Sequence, residues 1–167
     1  MQRALLLVEN GYEELELWVP YYRFLEHGLN VLLVGPEAGS TYVGKHGMAA
    51  RASASFSDPQ CENADLVFIP GGWAPDRLRV HEAAVGLVRR AVERGGVVAA
   101  ICHGGSLLVS ADVVRGRRVT STRSIRDDLR AAGAIWTDEA VVVDGRLITS
   151  RTPADLPLLL PAILSAV

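Results

Sequence analysis

One cysteine in this sequence has the surroundings expected of a nucleophile. Cys102 directly follows the apolar run Val97–Ile101, and the small residues Ala100 and Gly104 lie two positions to either side of it. A nucleophile on a sharp strand-to-helix turn needs small neighbours, because the backbone is crowded there. Such a turn presents the sulfur at the carboxyl edge of a sheet and at a helix N-terminus, whose partial positive charge lowers the pKa of a thiol. The pattern predicts a reactive thiolate at Cys102, against the alternative of a small core residue.

A pair of glycines predicts where the oxygen of a substrate would bind. Gly71 and Gly72 follow the apolar run Leu66–Ile69. Glycines after a strand allow backbone N–H groups to approach a substrate closely, as an oxyanion hole requires. Together with the amide of His103, and with Gly104 beside it, they could hold an oxygen that develops negative charge. A plain glycine turn is the alternative.

Two further residues receive different interpretations. Glu13 opens the first helical segment just after the first apolar run, so it belongs to the same carboxyl edge as Cys102. Alternatively, it is an ordinary first-turn acid favoured by the helix dipole. Cys61 has no strand-to-helix setting and is interpreted as structural or merely exposed.

The elements that must position these residues alternate along the chain. Short runs of continuous hydrophobicity predict strands buried on both faces, as in a parallel sheet, at Ala4–Val8, Val31–Val34, Leu66–Ile69 and Val97–Ile101. Helical patterns separate them, the first from Glu13 to His27 with Leu15, Trp18, Val19, Tyr22 and Leu25 at helical spacing. We therefore predict an α/β fold with a doubly wound, mainly parallel sheet and helices on both faces. Residues 36–58 predict a small β-excursion, and Asp144-Gly145 predicts a hairpin turn.

Length and composition limit the classes of function. A chain of 167 residues fits one domain, predicted here over residues 1–167. The net charge of -2 and the pI of about 6.1 offer no electrostatic footprint for nucleic acid. No apolar stretch approaches the roughly 18 residues of a membrane span, and the N-terminal apolar run is too short for a signal peptide. We expect a cytoplasmic protein with both cysteines reduced, which binds neither nucleic acid nor membrane.

Several motifs together resemble one known family. They are Glu13-Glu14-Leu15-Glu16-Leu17, Gly44-Lys45-His46-Gly47, Pro70-Gly71-Gly72-Trp73-Ala74-Pro75-Asp76, Ala100-Ile101-Cys102-His103-Gly104 and Ser150-Arg151-Thr152-Pro153-Ala154-Asp155-Leu156. The chain resembles the PfpI family of intracellular cysteine hydrolases, in the ThiJ/PfpI superfamily, from residue 4 to its end.

The resemblance implies a flavodoxin-like fold and a set of site residues. Cys102 would be the nucleophile, Glu13 would hydrogen-bond to its sulfur, and His103 would be the adjacent histidine of the family. Asp76 matches an acidic residue that reaches this histidine from a neighbouring subunit, although the peptidase-type member carries the longer glutamate. The active unit would then be a homo-oligomer, a dimer or an assembly of dimers, with its site at the subunit interface. No metal and no other cofactor is expected.

The resemblance leaves the reaction open. Amidotransferases of this architecture use a histidine far downstream of the cysteine, and this chain has no histidine after His103. Related proteins are described as peptidases, deglycases, glyoxalases, chaperones and redox-responsive stress proteins. We expect a stress-related cysteine hydrolase that acts on small carbonyl or glycation-adduct substrates, or on peptides. The alternative is a non-catalytic redox sensor or holdase that uses oxidation of Cys102.

Overall fold

A seven-stranded, mainly parallel sheet forms the centre of the molecule in the computed structural model, which describes all residues 1–167. Its strands are β1 (Arg3–Leu7), β2 (Asn30–Gly35), β5 (Ala54–Ser55), β6 (Leu66–Ile69), β7 (Val97–Ile101), β10 (Val141–Asp144) and β11 (Leu147–Ser150). Their order is β10-β11-β7-β6-β1-β2-β5, and only the β10–β11 pair is antiparallel. The central part of this order is that of flavodoxin-like folds, so the predicted fold class is confirmed.

Two smaller strand pairs lie outside the main sheet. They are β3 (Thr41–Val43) with β4 (Ala49–Arg51), and β8 (Arg118–Val119) with β9 (Ile135–Trp136). The predicted excursion over residues 36–58 thus contains the β3–β4 hairpin, but its last strand, β5, returns to pair with β2 at the edge of the main sheet.

Six α-helices cover the sheet. They are α1 (Glu14–Glu26), α2 (Ala74–Leu78), α3 (Glu82–Glu93), α4 (Gly105–Ser110), α5 (Arg126–Ala131) and α6 (Leu156–Leu164). Helices α1 and α6 pack against each other, whereas α4 packs against α2, α3 and α5. None of the helices has the length and apolar character that crossing a membrane requires.

The buried face of α1 differs from the predicted one. Glu16, Leu17, Pro20 and Phe24 are buried. Leu15, Val19, Tyr22 and Leu25 are 55%, 41%, 63% and 42% exposed. Helix α1 therefore has two apolar faces, and the one that packs against the rest of the protein includes the acid Glu16. Periodicity alone favoured the wrong face, because it treats every glutamate as a surface residue.

The parallel strands bring three segments together at their carboxyl ends. The segment from Glu9 to Glu13 follows β1, Gly71 and Gly72 follow β6, and Cys102 follows β7. Strands β1, β6 and β7 are neighbours in the sheet, and the chain leaves β1 and β6 on opposite sides. Ligands bind at such a switch point in open α/β sheets.

Candidate active site

Cys102 occupies a strained backbone position at the end of β7. Its φ is +59°, in the left-handed region that non-glycine residues rarely adopt. A short 3-10 turn over Cys102–Gly104 connects it to α4. Strain of this kind persists only where the surrounding structure imposes it, and it is concentrated at functional sites. The predicted strand-to-helix turn is therefore present.

Two glycines allow the ends of β6 and β7 to approach each other. A Cβ on Gly104 would lie 2.5 Å from the carbonyl oxygen of Ile69. A Cβ on Gly71 would lie 2.7 Å from that of Cys102 and would overlap the Glu16 carboxylate. Both positions therefore need glycine so that the site can close around the sulfur, and their part in binding substrate stays a prediction.

The backbone amides of Gly72 and His103 act on the Cys102 sulfur and lower the pKa of the thiol, against the effect of burial. Gly72 has a φ of +79°, and a Cβ there would lie 2.5 Å from the backbone nitrogen of Glu13. The two N–H groups predicted for an oxygen-binding site are thus brought together. Their action on a substrate oxygen stays a prediction.

The acid that interacts with the sulfur is Glu16, not Glu13. Glu16 is fully buried, and its Oε2 accepts a hydrogen bond of 2.6 Å from the amide of Gly71. Its Oε1 is buried without a nitrogen or oxygen partner, and the Cys102 thiol is the group left to it. The sequence-based hypothesis of a Glu13–sulfur hydrogen bond is wrong in this structure.

Glu13 instead caps α1 and pairs with a lysine. Its Oε1 accepts a hydrogen bond of 3.1 Å from the amide of Leu15, and its Oε2 lies 3.0 Å from Nζ of Lys45. Both oxygens are therefore engaged away from the sulfur, although Glu13 still lines the same pocket. Because α1 begins at Glu14, Glu16 is the acid that the first turn directs toward β7.

The protonation of the Cys102–Glu16 pair also differs from the prediction. Burial raises the pKa of Glu16 to about 7. Burial, followed by the charge of Glu16, raises the pKa of Cys102 to about 12, and this outweighs the amides of His103 and Gly72. A freely ionised thiolate at a helix N-terminus is therefore wrong. The helix that follows has only six residues, and desolvation beside a carboxylate dominates its dipole.

His103 faces the sulfur rather than solvent. Its Nδ1 lies 3.4 Å from Sγ of Cys102, and its Nε2 lies 3.0 Å from Oγ of Ser124. Burial, and then the charge of Lys45, lower the pKa of His103, so the neutral imidazole is favoured. Ser124, which sequence analysis missed, holds the ring from the far side.

Asp76 lies beside His103 without a hydrogen bond to it in the same chain. Asp76 and His103 line a groove of about 600 Å³, and the charge of Asp76 acts on the imidazole. The groove shares Gly72, Trp73 and His103 with a smaller pocket of about 140 Å³ that contains Cys102. A small reacting group would enter the pocket, and a larger remainder would extend into the groove.

One group of possible metal ligands adjoins the pocket. Ligand atoms of Glu13, Glu14 and His46 lie within 4.8 Å of one another. Nδ1 of His46 is 2.9 Å from Oε2 of Glu14, while Glu13 is occupied by Lys45. These side chains satisfy one another, and we assign no metal to them.

Sequence and structure comparisons agree on one family. The family model described as the DJ-1/PfpI family matches residues 2–166. A deglycase of Pyrococcus horikoshii is 44% identical over 154 residues, which are 92% of each chain. A Bacillus subtilis protein whose name provisionally assigns it as a cysteine protease is 37% identical over 155 residues, 93% of this chain and 92% of that protein.

A solved structure extends this likeness to the fold. The crystal structure of a two-domain protein from Anabaena variabilis, with DJ-1/ThiJ/PfpI-like and ferritin-like domains, superposes with a TM-score of 0.96 at 38% identity. The match covers 99% of this chain and 48% of that protein, so this chain spans about half of it. The chain thus belongs to the DJ-1/PfpI family.

Proposed function

We propose that this protein is a cysteine-dependent deglycase that removes dicarbonyl adducts from amines and thiols. The observation that supports this most is the buried Cys102–Glu16 pair, because a carboxyl whose pKa is about 7 can exchange a proton with the thiol near neutral pH. The names of the deglycase relatives agree with it.

The site residues have distinct parts in the proposed reaction. The Cys102 thiol gives its proton to Glu16 and attacks the carbon bonded to nitrogen, so that a C–S bond forms as the C–N bond breaks and the amine leaves with a proton. A proton shift from this carbon to the neighbouring ketone carbon converts the hemithioacetal to a 2-hydroxy thioester. Water then attacks the thioester carbonyl through an oxyanion and cleaves the C–S bond, which frees the 2-hydroxy acid and returns the thiol. The amides of Gly72 and His103 donate to the resulting oxyanion. Neutral His103, whose Nδ1 lies beside the sulfur, can accept a proton from the reacting groups and later return it to them.

The overall conversion needs water and no external oxidant. A methylglyoxal adduct of an amine takes up one water and yields the free amine and a 2-hydroxy acid. The carbon bonded to nitrogen is oxidised to a carboxylate as the neighbouring ketone carbon is reduced to an alcohol. The pocket of about 140 Å³ suits such a short fragment.

A peptidase is the second candidate. The groove of about 600 Å³ provides space beside His103 for a substrate larger than a short adduct, and the name of the Bacillus subtilis relative agrees with this activity. Redox sensing by Cys102 stays an alternative, because a thiolate formed by proton transfer to Glu16 could be oxidised as well as attack a substrate. The cytoplasmic location and a role in stress stay predictions.

Turnover of defined adducts tests the proposal. Wild-type protein should release amine and 2-hydroxy acid from methylglyoxal-treated N-acetylarginine, and thiol from treated N-acetylcysteine. Cys102→Ala should be inactive, while Cys61→Ala, at the buried cysteine far from the pocket, is the matched control. Hydrolysis of fluorogenic peptides without adduct turnover would support the peptidase instead, and consumption of free methylglyoxal at the same rate would indicate a glyoxalase.

We also propose that the active unit is a homo-oligomer. Asp76 and His103 line the same open groove, so a second copy lying across it could place its own Asp76 against His103. The exposed apolar residues of α1 offer a further contact surface.

A further inference from the structure

The chain contains a single lysine, and it lies in the pocket of the reactive cysteine. Of the seventeen basic residues, sixteen are arginines and the other is Lys45. The pocket of about 140 Å³ is lined by Cys102 and by three charged side chains, Glu13, Glu16 and Lys45. A protein that uses arginine at every other basic position has placed its one ammonium group where the chemistry is proposed to occur.

The fold holds the Lys45 backbone in place from two sides. Lys45 lies in the turn between β3 and β4, and its amide donates a hydrogen bond of 3.0 Å to the carbonyl of Tyr12. Glu14, at the start of α1, accepts a hydrogen bond of 2.6 Å from the amide of His46. A Cβ on Gly44 would lie 2.6 Å from Cδ of Glu14, so the Glu14 side chain packs closely against the turn at this glycine.

The side chain of Lys45 is fixed as well. Nζ lies 3.0 Å from Oε2 of Glu13, whose other oxygen caps α1. This bond raises the pKa of Lys45, which therefore stays protonated. The Lys45 ammonium has three N–H donors, and Glu13 is its one salt-bridge partner. The side chain of Lys45 is 30% exposed. The ammonium can therefore donate further hydrogen bonds to a ligand in the pocket.

We propose that Lys45 forms a carboxylate-binding subsite for the 2-hydroxy acid half of the reaction. This inference rests on the proposed deglycase function, since that reaction creates a carboxylate on the fragment held next to Cys102. The compact ammonium suits a small pocket already shared with Glu13, whereas the planar guanidinium of arginine is larger. Lys45 would bind the acid product and the developing charge that precedes it.

A binding assay tests the subsite without requiring turnover. Lactate is the acid expected from a methylglyoxal adduct, and lactamide is its neutral analogue. Each is added at constant ionic strength while iodoacetamide alkylates the protein, and the Cys102 peptide is quantified by mass spectrometry. Lactate should slow alkylation of Cys102 in wild type, and lactamide should have little effect.

Variants assign the effect to the ammonium. In Lys45→Met the concentration of lactate that gives half-protection should rise about tenfold or more, as expected for loss of a charge-assisted hydrogen bond. Lys45→Arg should retain part of the protection. Arg51→Met, which removes one positive charge from the same excursion outside the pocket, should behave as wild type. Circular dichroism checks that each variant is folded.

The failures of the subsite and of the reaction are distinguishable. Equal protection of wild type and Lys45→Met, equal protection by lactamide, or no protection at all would overturn the subsite, whether or not adducts are turned over. Lysine-dependent protection without turnover would support the subsite and refute the proposed reaction.

Discussion

Cys102 and Glu16 form a buried pair in which the charge of Glu16 raises the pKa of the Cys102 thiol. Their separation from water adds to the effect, because burial disfavours both charged forms. The two groups therefore titrate together, and the reactive form is the one in which Glu16 holds the proton that Cys102 has lost. This places the control of reactivity in a carboxyl group rather than in a helix dipole.

Substitution of Glu16 should separate its charge from its donor capacity. Glu16→Gln removes the charge and can still donate a hydrogen bond, so Cys102 should retain much of its rate of alkylation by iodoacetamide. Glu16→Ala should lose more, because it removes the donor and leaves a cavity. Glu62→Gln, at an exposed acid outside the pocket, serves as the control. Equal impairment of Cys102 in the two Glu16 variants would refute the donor role.

Glu16 should also make stability depend on pH. Its pKa is raised from an ordinary 4.5 to about 7 by folding, so the unfolded chain loses this proton first as pH rises. The free energy of unfolding should therefore decrease between about pH 4.5 and 7, by about 3 kcal/mol in total, and stay level above.

Urea denaturation at pH 4.5 and pH 8 would measure this effect. The difference in stability between wild type and Glu16→Gln should change by that amount between the two pH values. Glu62→Gln, at an exposed acid, should show no such change. A constant difference between wild type and Glu16→Gln would mean that folding does not raise the pKa of Glu16.

At the scale of elements, the position of the site depends on one close contact. The 3-10 turn after β7 packs directly against the end of β6. Gly104→Ala would direct a methyl group at the carbonyl oxygen of Ile69, and neither backbone can yield without moving a strand. We expect a loss of stability of about 2 kcal/mol or more. The methyl group of Gly105→Ala would meet the ends of two flexible side chains, Cδ1 of Ile125 at 3.1 Å and Cδ1 of Leu129 at 3.5 Å, so it should change stability by less than about 1 kcal/mol.

Urea denaturation of the two alanine variants provides the comparison. Adjacent glycines in one turn make a matched pair, since the change in composition is identical. If Gly104→Ala proved as stable as Gly105→Ala, the close approach to Ile69 would not constrain the turn.

Sequence patterns predicted the elements better than the side chains between them. The strands at Leu66–Ile69 and Val97–Ile101 were predicted with the bounds observed, because buried parallel strands are continuously apolar. Glu16 was missed because its burial depends on tertiary packing of α1, which helical periodicity does not report. Ser124 was missed because it lies 21 residues from His103 in a loop without a motif.

At the scale of the whole molecule, the groove beside His103 makes a specific prediction about assembly. If a neighbouring subunit supplies Asp76, Cys102→Ala and Asp76→Ala should each be inactive alone. Mixed after mild dissociation, they should recover part of the activity, because some interfaces then pair an intact Cys102 with an intact Asp76.

Native mass spectrometry provides the control for this mixing experiment. If hybrid oligomers form and no activity returns, Asp76 acts within its own chain or not at all. Activity of Asp76→Ala alone would show that Ser124 is sufficient to orient His103.

The edges of the main sheet limit how copies of this protein can associate. At one edge β5 has only two residues, and at the other the end of β10 is occupied by Arg117 and Arg118, which donate to Asp144 at 2.7 Å. An incoming strand would find few free backbone groups at either place, so a continuous sheet across two molecules is disfavoured. Assembly through side chains is therefore favoured, and the same blunt edges should protect the folded protein from aggregation by strand addition.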